Sequence, residues 1–336
     1  MLSSALKKQL ETPKNIVFTA HKGPDGDACG STIAMAQYFR ALGHETTVVL
    51  PNAIPKNLRQ VFDFESIVSF DNKENLAKRK LKEADILFCL DYNNPSRVGD
   101  MEADLVASSA YKVMIDHHLY PKTFCDEQHS FPEVSSTCQL VYRCLDDYGL
   151  TSMYTPEIMA SLYTGMLTDT GSFRFSSVDA ETHYIVYKFK TQQFDHERIH
   201  RLIFDQNSVA RTQLLGFCLS QKMEILKDQQ LGILSLTKSE LDQYNCTKQD
   251  TEGFVNHLLS LENVEVAAFF IEQANEIKLS LRAVGNWKVN QICSEFYNGG
   301  GHQSAAGGQF DGSMKELISH FKSVVVPQLK RFNSDE

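Results

Sequence analysis

Ile16–Leu42 reads IVFTAHKGPDGDACGSTIAMAQYFRAL, and three residue patterns follow one another in it. Ile16–Ala20 is a short apolar run that fits a buried strand. His21-Lys-Gly-Pro-Asp25-Gly-Asp27 breaks that run with turn formers and two carboxylates. From Ser31 to Leu42 the apolar residues Ile33, Ala34, Ala36, Tyr38, Phe39 and Leu42 recur at helical spacing. A buried strand feeding through a polar turn into a helix is the opening of a βα unit, and Thr46–Leu50 supplies the next strand.

The same alternation continues outward. Ile86–Leu90 and Tyr111–Ile115 are further buried strand-like runs, while Thr137–Leu145 and Pro156–Leu167 read as helices. Pro156 stands at a favoured first-turn position. Strands alternating with helices predict a mostly parallel sheet with helices on both faces. A mixed-polarity helical stretch from Asp195 to Lys222 follows and reads as a connector. A second unit then shows strand-like Leu231–Leu236, a helix-like stretch over Thr251–Leu261, and a strand pair, Val264–Ile271 and Glu276–Arg282, with Asn275 near the turn. A helix over Asn286–Phe296, a glycine-rich loop and a last helix from Ser313 complete it. The expected fold class is α/β. A mostly parallel-sheet domain spans 1–195, a helical connector 196–222 and a smaller α/β domain 223–336, with a cleft between the two domains.

The 336 residues carry a formal net charge of −9, and 42% of them are hydrophobic. That is enough apolar material for real cores, and the length fits two domains. The acidity argues against a broad face for long double-stranded nucleic acid, while a short or single-nucleotide substrate held by local contacts remains compatible. The eight cysteines include no CxxC pair. Cys29, Cys89, Cys138 and Cys144 lie in apolar or helical contexts, which points to reduced core thiols. Met1–Lys14 has no apolar signal-like run, and stretches such as Val264–Ile271 are too short to span a bilayer. The expected location is the cytoplasm, with no membrane partner.

Three apolar strands deliver Asp or His to their carboxyl ends, the edge where open parallel sheets bind ligands. Ile16–Ala20 runs into His21, Asp25 and Asp27; Ile86–Leu90 runs into Asp91; Tyr111–Ile115 runs into Asp116-His117-His118. Asp169 follows the helix Pro156–Leu167. A lone Asp after a strand is usually a helix cap or turn residue, but three such strand ends together call for another explanation. Paired divalent ions need several carboxylates, one of them shared, and imidazole beside carboxylate suits Mn²⁺ better than Ca²⁺. In the second unit, Asn298–Gly308 (NGGGHQSAAGG) exposes backbone N–H groups suited to an anion. Arg282 closes the run Leu279–Arg282 and is either a solvated charge or a phosphate clamp.

These residues together resemble the DHH phosphoesterase superfamily. The resemblance rests on HKGPDGDACGS (His21–Ser31), DYNNPSRVG from Asp91, Asp116-His117-His118 and TDTGSFRF around Asp169. The second unit resembles the associated DHHA1 domain through its GGGH run, Gly299–His302, and its SLR run, Ser280–Arg282. Length and layout are similar to the nanoRNase group, which degrades very short oligoribonucleotides and dephosphorylates adenosine 3′,5′-bisphosphate (pAp). The resemblance implies a Mn-dependent phosphoesterase holding two Mn²⁺, with Mg²⁺ or Co²⁺ as alternatives. His21, Asp25 and Asp91 would hold one ion; Asp27, Asp91, His117 and Asp169 would hold the other. Asp116 would orient His117, and His118 would stand beside the scissile phosphate, so that His118, Asp116 and Asp91 form the catalytic group. Arg282, Gly300, Gly301 and His302 would bind the substrate's other phosphate or terminal nucleotide. Arg97 and the helix start Ser135-Ser136-Thr137 would support phosphate binding.

Gly23 stands where the family commonly has Asn, and Gln303 where it often has Lys. The nearest rival is a phosphodiesterase of cyclic dinucleotides or their linear products, pApA and pGpG. A pyrophosphatase or exopolyphosphatase, a processive single-strand exonuclease and a non-catalytic nucleotide sensor follow. The expected partner is short RNA or a nucleotide, and a homodimer stays open.

Overall fold

The computed structural model describes residues 2–56, 58–62, 64–149, 153–192, 194–274 and 276–333. The chain divides between Gln206 and Asn207 into two compact units.

In the first unit, strands β1 (Asn15–Thr19), β2 (Glu45–Leu50), β3 (Ile67–Ser69), β4 (Ile86–Leu90), β5 (Tyr111–Asp116) and β6 (Glu127–Ser130) form one parallel sheet. The order is β3-β2-β1-β4-β5-β6. The helices are α1 (Ser4–Gln9), α2 (Gly26–Ala41), α3 (Glu74–Glu83), α4 (Glu102–Ala107), α5 (Thr137–Asp147), α6 (Pro156–Asp169), α7 (Ala180–Lys190) and α8 (His196–Phe204). Both faces of the central strands are covered. Ile16, Phe18, Ile86, Phe88 and Leu90 pack into one core with residues of α2, α5 and α6. Val17, Leu87 and Cys89 pack into another with residues of α3 and α4. That double burial is why these strands read as continuous apolar runs. Phe18 and Phe88 stack at 5.3 Å between ring centroids, with Phe39 of α2 6.1 Å from Phe18. Removing such a ring costs about 3–5 kcal/mol.

Two differences from the sequence expectation bear on the site. Helix α2 begins at Gly26, not Ser31, because the Asp25 side chain accepts from the N–H groups of Asp27 and Ala28 and caps the helix. Asp27 therefore lies inside the first helical turn. Helix α6 runs through Asp169 rather than stopping at Leu167. Helices α2 and α6 lie very close: a Cβ on Gly30 would collide with the Ser161 carbonyl oxygen, and one on Gly165 would stand 2.6 Å from Asp27 Oδ1.

The second unit carries α9 (Val209–Phe217), β7 (Glu224–Leu226), β8 (Leu231–Leu236), α10 (Lys238–Gln243), β9 (Val266–Glu272), β10 (Ile277–Ala283), α11 (Val289–Phe296), β11 (Gly300–His302), β12 (Ala305–Phe310) and α12 (Met314–His320). Its sheet has the order β11-β12-β10-β9-β8-β7. Only β8 and β9 pair in parallel; the other neighbours are antiparallel. Two short 3-10 turns, Lys248–Thr251 and Phe254–Ser260, stand where the sequence predicts one helix. The β9–β10 pair forms as expected, while Asn275 lies outside the described residues. The glycine-rich loop is in fact a hairpin, since β11 and β12 pair Gly300 with Gly307 and His302 with Ala305. No helix among the described residues is long and apolar enough to cross a membrane.

Candidate metal centre and active site

The strand order of the first sheet reverses between β1 and β4, two parallel neighbours whose carboxyl ends lie side by side. Ligands bind at such a switch point. His21 follows β1 by two residues, Asp91 follows β4 directly, and β5 ends in Asp116 with His117 and His118 next. The turn after β4 places Asp91 at φ 63°, a left-handed backbone uncommon for any residue but glycine. Non-glycine residues held this way concentrate at functional sites.

The side chains converge around two imidazole nitrogens. His21 Nε2 lies 3.7 Å from Asp25 Oδ2 and 3.4 Å from Asp91 Oδ2. His117 Nε2 lies 3.3 Å from Asp169 Oδ2, 3.6 Å from Asp91 Oδ1 and 3.9 Å from Asp27 Oδ2. The ligand atoms of His21, Asp25 and Asp91 all fall within 4.8 Å of one another, as do those of Asp27, His117 and Asp169. Asp91 reaches His21 with one oxygen and His117 with the other. His21, Asp27, Asp91 and His117 are all buried.

The donor set fits divalent cations. His21 Nδ1 lies 3.1 Å from the Lys22 carbonyl oxygen, and His117 Nδ1 lies 3.1 Å from that of Val134. A carbonyl can only accept, so Nδ1 carries a proton, and Nε2 of each ring is the atom that faces the carboxylates. The electrostatics agree. Burial disfavours the charged form of His21, yet bonds and charge from Asp25 and Asp91 overcome it and raise its pKa well above the usual value. Burial, with the charges of Asp91 and Asp25, pushes Asp27 far above the ordinary carboxylate range. Burial and the charges of Asp27, Asp25 and Asp91 do the same to Asp169. Protons thus collect where a cation would neutralise the cluster.

The amino end of α5 is used differently from the sequence expectation. The N–H groups of Thr137 and Cys138 donate to the two oxygens of Asp27 at 2.6 and 2.9 Å, and Thr137 Oγ1 donates to Asp91 Oδ1 at 2.9 Å. A helix start favours an anion, and here the anion is the protein's own carboxylate. Thr137 is therefore a site residue that motif reading assigned to phosphate support. Its true partners lie 110 and 46 residues away in sequence.

The expectation that Asp116 orients His117 gives way to another geometry. Asp116 Oδ2 accepts the backbone N–H of His118, and Oδ1 meets His118 Nδ1, both at 2.8 Å. Burial works against the charged ring of His118, but Asp116 and Asp91 together raise its pKa. Arg97 is exposed, its positive charge is felt at His118, and its carbonyl accepts from the Lys22 N–H at 2.7 Å. In the second unit, Arg282 and His302 both pair across strands with Ala305, which places Arg282 on one side of β12 and Gly300, Gly301 and His302 on the other. Gly300 and Gly301 are exposed, and Gly301 has φ 143° with no room for a Cβ, which would stand 2.5 Å from the Ala305 carbonyl oxygen. Arg282 is half-buried; its guanidinium donates to the Leu281 carbonyl at 3.0 Å, and burial lowers its pKa.

Comparison with known proteins places both units in known families. Residues 15–166 match the model of the DHH family, N-terminal domain, and residues 229–326 match that of the DHHA1 domain. The crystal structure of an exopolyphosphatase-related protein from Bacteroides fragilis superposes with a TM-score of 0.93 at 37% identity, covering 97% of this chain and 96% of that one. The bifunctional oligoribonuclease and PAP phosphatase NrnA of Thermus thermophilus is 28% identical over 316 residues, 93% of this chain and 88% of its own length. The protein of the same name from Bacillus subtilis is 22% identical over 307 residues, 91% of this chain and 92% of its own. The chain belongs to the DHH family of phosphoesterases, its DHH domain followed by a DHHA1 domain.

Proposed function

We propose that this phosphoesterase hydrolyses short oligoribonucleotides and pAp-type nucleotide 3′,5′-bisphosphates, using two divalent ions, Mn²⁺ by preference. The observation that carries the reading is the pair of Nε2-facing carboxylate groups joined by Asp91. The likeness to the NrnA proteins over nearly their whole length supports the substrate class. His21, Asp25 and Asp91 hold one ion; Asp27, Asp91, His117 and Asp169 hold the other. Such ions lower the pKa of water and neutralise charge on a phosphoryl group. Thr137 and the start of α5 fix Asp27 and Asp91 before anything binds. Asp116 holds the His118 ring through Nδ1 and favours its protonated form, so His118 presents positive charge to the phosphate or a proton to the leaving oxygen. Arg97 adds charge on the same side, and Arg282, Gly300, Gly301 and His302 bind another phosphate or the terminal nucleotide. In this reading residues 1–195 carry catalysis, 223–336 carry substrate recognition and 196–222 connect them.

The test is a substrate panel with Mn²⁺: pAp, pApA, cyclic di-AMP, short RNA, short DNA and pyrophosphate. Turnover of pAp and of short RNA, pApA included, above cyclic di-AMP, short DNA and pyrophosphate is the expected result. Preference for cyclic di-AMP would turn the assignment to a cyclic-dinucleotide phosphodiesterase, and preference for pyrophosphate would remove the nucleotide reading.

A further inference from the structure

Immediately after His118 the chain does something that the catalytic arrangement does not require. Leu119 is 44% exposed and Tyr120 is 83% exposed, so two large side chains stand in solvent beside the polar centre. Tyr120 also has φ 64°, a genuine outlier for a bulky residue. A strained backbone persists only where its surroundings hold it, and the holding groups are visible. The buried Asn93 donates its carboxamide N–H groups to the carbonyls of His118 and Leu119 at 2.9 and 3.0 Å. The Lys122 N–H donates back to the Asn93 carbonyl at 2.9 Å. Farther along, Phe124 stacks on Tyr92 at 6.0 Å. Asn93 and Tyr92 directly follow Asp91, so the ends of β4 and β5 together staple this loop and leave the Tyr120 ring pointing away from the core. Its Cα is two residues, at most about 7–8 Å of chain, from that of His118. The loop after Asp169 likewise exposes a cation and a ring, Arg174 and Phe175.

A rigidly presented, unburied aromatic ring next to a phosphate-processing centre matches the way single-stranded nucleotides are bound, by stacking on π-faces without base-specific hydrogen bonds. We propose that Tyr120 is a base-stacking platform and a specificity-determining residue, holding the nucleobase that adjoins the scissile phosphate. The inference rests on the nucleotide reading given above. It makes base-bearing substrates better than base-free phosphoesters while leaving base identity largely unread.

The test uses the full chain with Mg²⁺ and a dinucleotide of 2-aminopurine and adenine joined by a non-hydrolysable methylene phosphonate. Stacking quenches 2-aminopurine, so wild type and Tyr120→Phe should quench it with similar Kd. Tyr120→Ala should lose the quenching and bind at least about fivefold more weakly, the lower end of what one base–aromatic stack contributes. Tyr120→Gly separates this role from a structural one: glycine relieves the left-handed backbone, so its Tm should not fall while its binding does. Wild-type protein that leaves the fluorescence unchanged, or Tyr120→Ala binding within twofold of wild type, overturns the proposal. Turnover of pApA is measured alongside. Turnover without Tyr120-dependent quenching sinks the stacking role alone; Tyr120-dependent quenching without turnover sinks the functional reading and leaves the platform standing.

Discussion

Asp91 stands where the demands on the site meet. It is buried, its backbone is left-handed, and its two oxygens face different histidines. Asp91→Asn keeps the shape and removes the charge, so turnover should fall by on the order of 10²–10³-fold or more while circular dichroism stays native. Near-normal kcat in that variant would take Asp91 out of the mechanism. Thr137 acts one step away, on Asp27 and Asp91. Thr137→Val removes the hydroxyl but keeps the backbone N–H, and metal affinity should drop about 10–100-fold, as for other groups that orient ligands; isothermal titration with Mn²⁺ reads it. The candidate ligands were legible in the sequence because each sits at the end of an apolar strand or in a short polar motif. Thr137 was not, because its contact with Asp27 joins segments that only the fold brings together. The partner of Asp116 was equally hidden, since His117 and His118 are adjacent and only the turn after β5 decides which ring swings back.

Helices α2 and α6 set the spacing of Asp27 and Asp169, and glycines let them approach. Gly30→Ala puts a methyl group against the Ser161 carbonyl. It should cost about 1–3 kcal/mol, seen as a Tm lower by several degrees together with weaker metal binding. An unchanged Tm would mean that the helices part without strain. At the other edge of the sheet, Glu127 of β6 accepts from Ser3 N–H at 2.8 Å and from Ser3 Oγ at 2.6 Å, and meets His129 Nε2 at 2.7 Å. Burial would raise its pKa, but these bonds prevail and hold it below the ordinary value. A carboxylate lowered in the folded state contributes stability above its unfolded pKa and loses it as pH falls through the folded one. Glu127→Gln should therefore be less stable than wild type at pH 7, with the gap closing below pH 4; a gap independent of pH in urea titrations would refute this. Strands β1, β4 and β5 could be read from sequence because burial on both faces makes them apolar throughout. Strand β6 reads Glu-Gln-His-Ser and is half-buried along its length, while β11 reads Gly-Gly-His. Neither has a hydrophobic period to detect, and both are held by pairing with a neighbour.

The whole molecule is acidic, with a net charge of −9. Each added phosphate on a substrate brings repulsion, and nothing in the composition supplies a long basic track to offset it. With kcat/KM measured on oligoribonucleotides of two to ten residues, efficiency should fall with length, and moderate salt should narrow the difference. Rising efficiency with length would indicate a processive nuclease instead. Composition and alternation carried the two-unit plan, whereas the mixed pairing of the second sheet depended on hairpins that no single run of residues announces. What unites the levels is the claim that one shared carboxylate at the β1–β4 switch point joins two metal sites into a phosphoesterase centre. Equilibrium dialysis with Mn²⁺, run beside pAp hydrolysis on wild type and Asp91→Asn, tests it most directly. The account predicts two ions per wild-type chain, turnover that vanishes with EDTA and returns with Mn²⁺, and loss of both ion binding and turnover in the variant. Full turnover in EDTA, or unchanged stoichiometry and rate in Asp91→Asn, would contradict it.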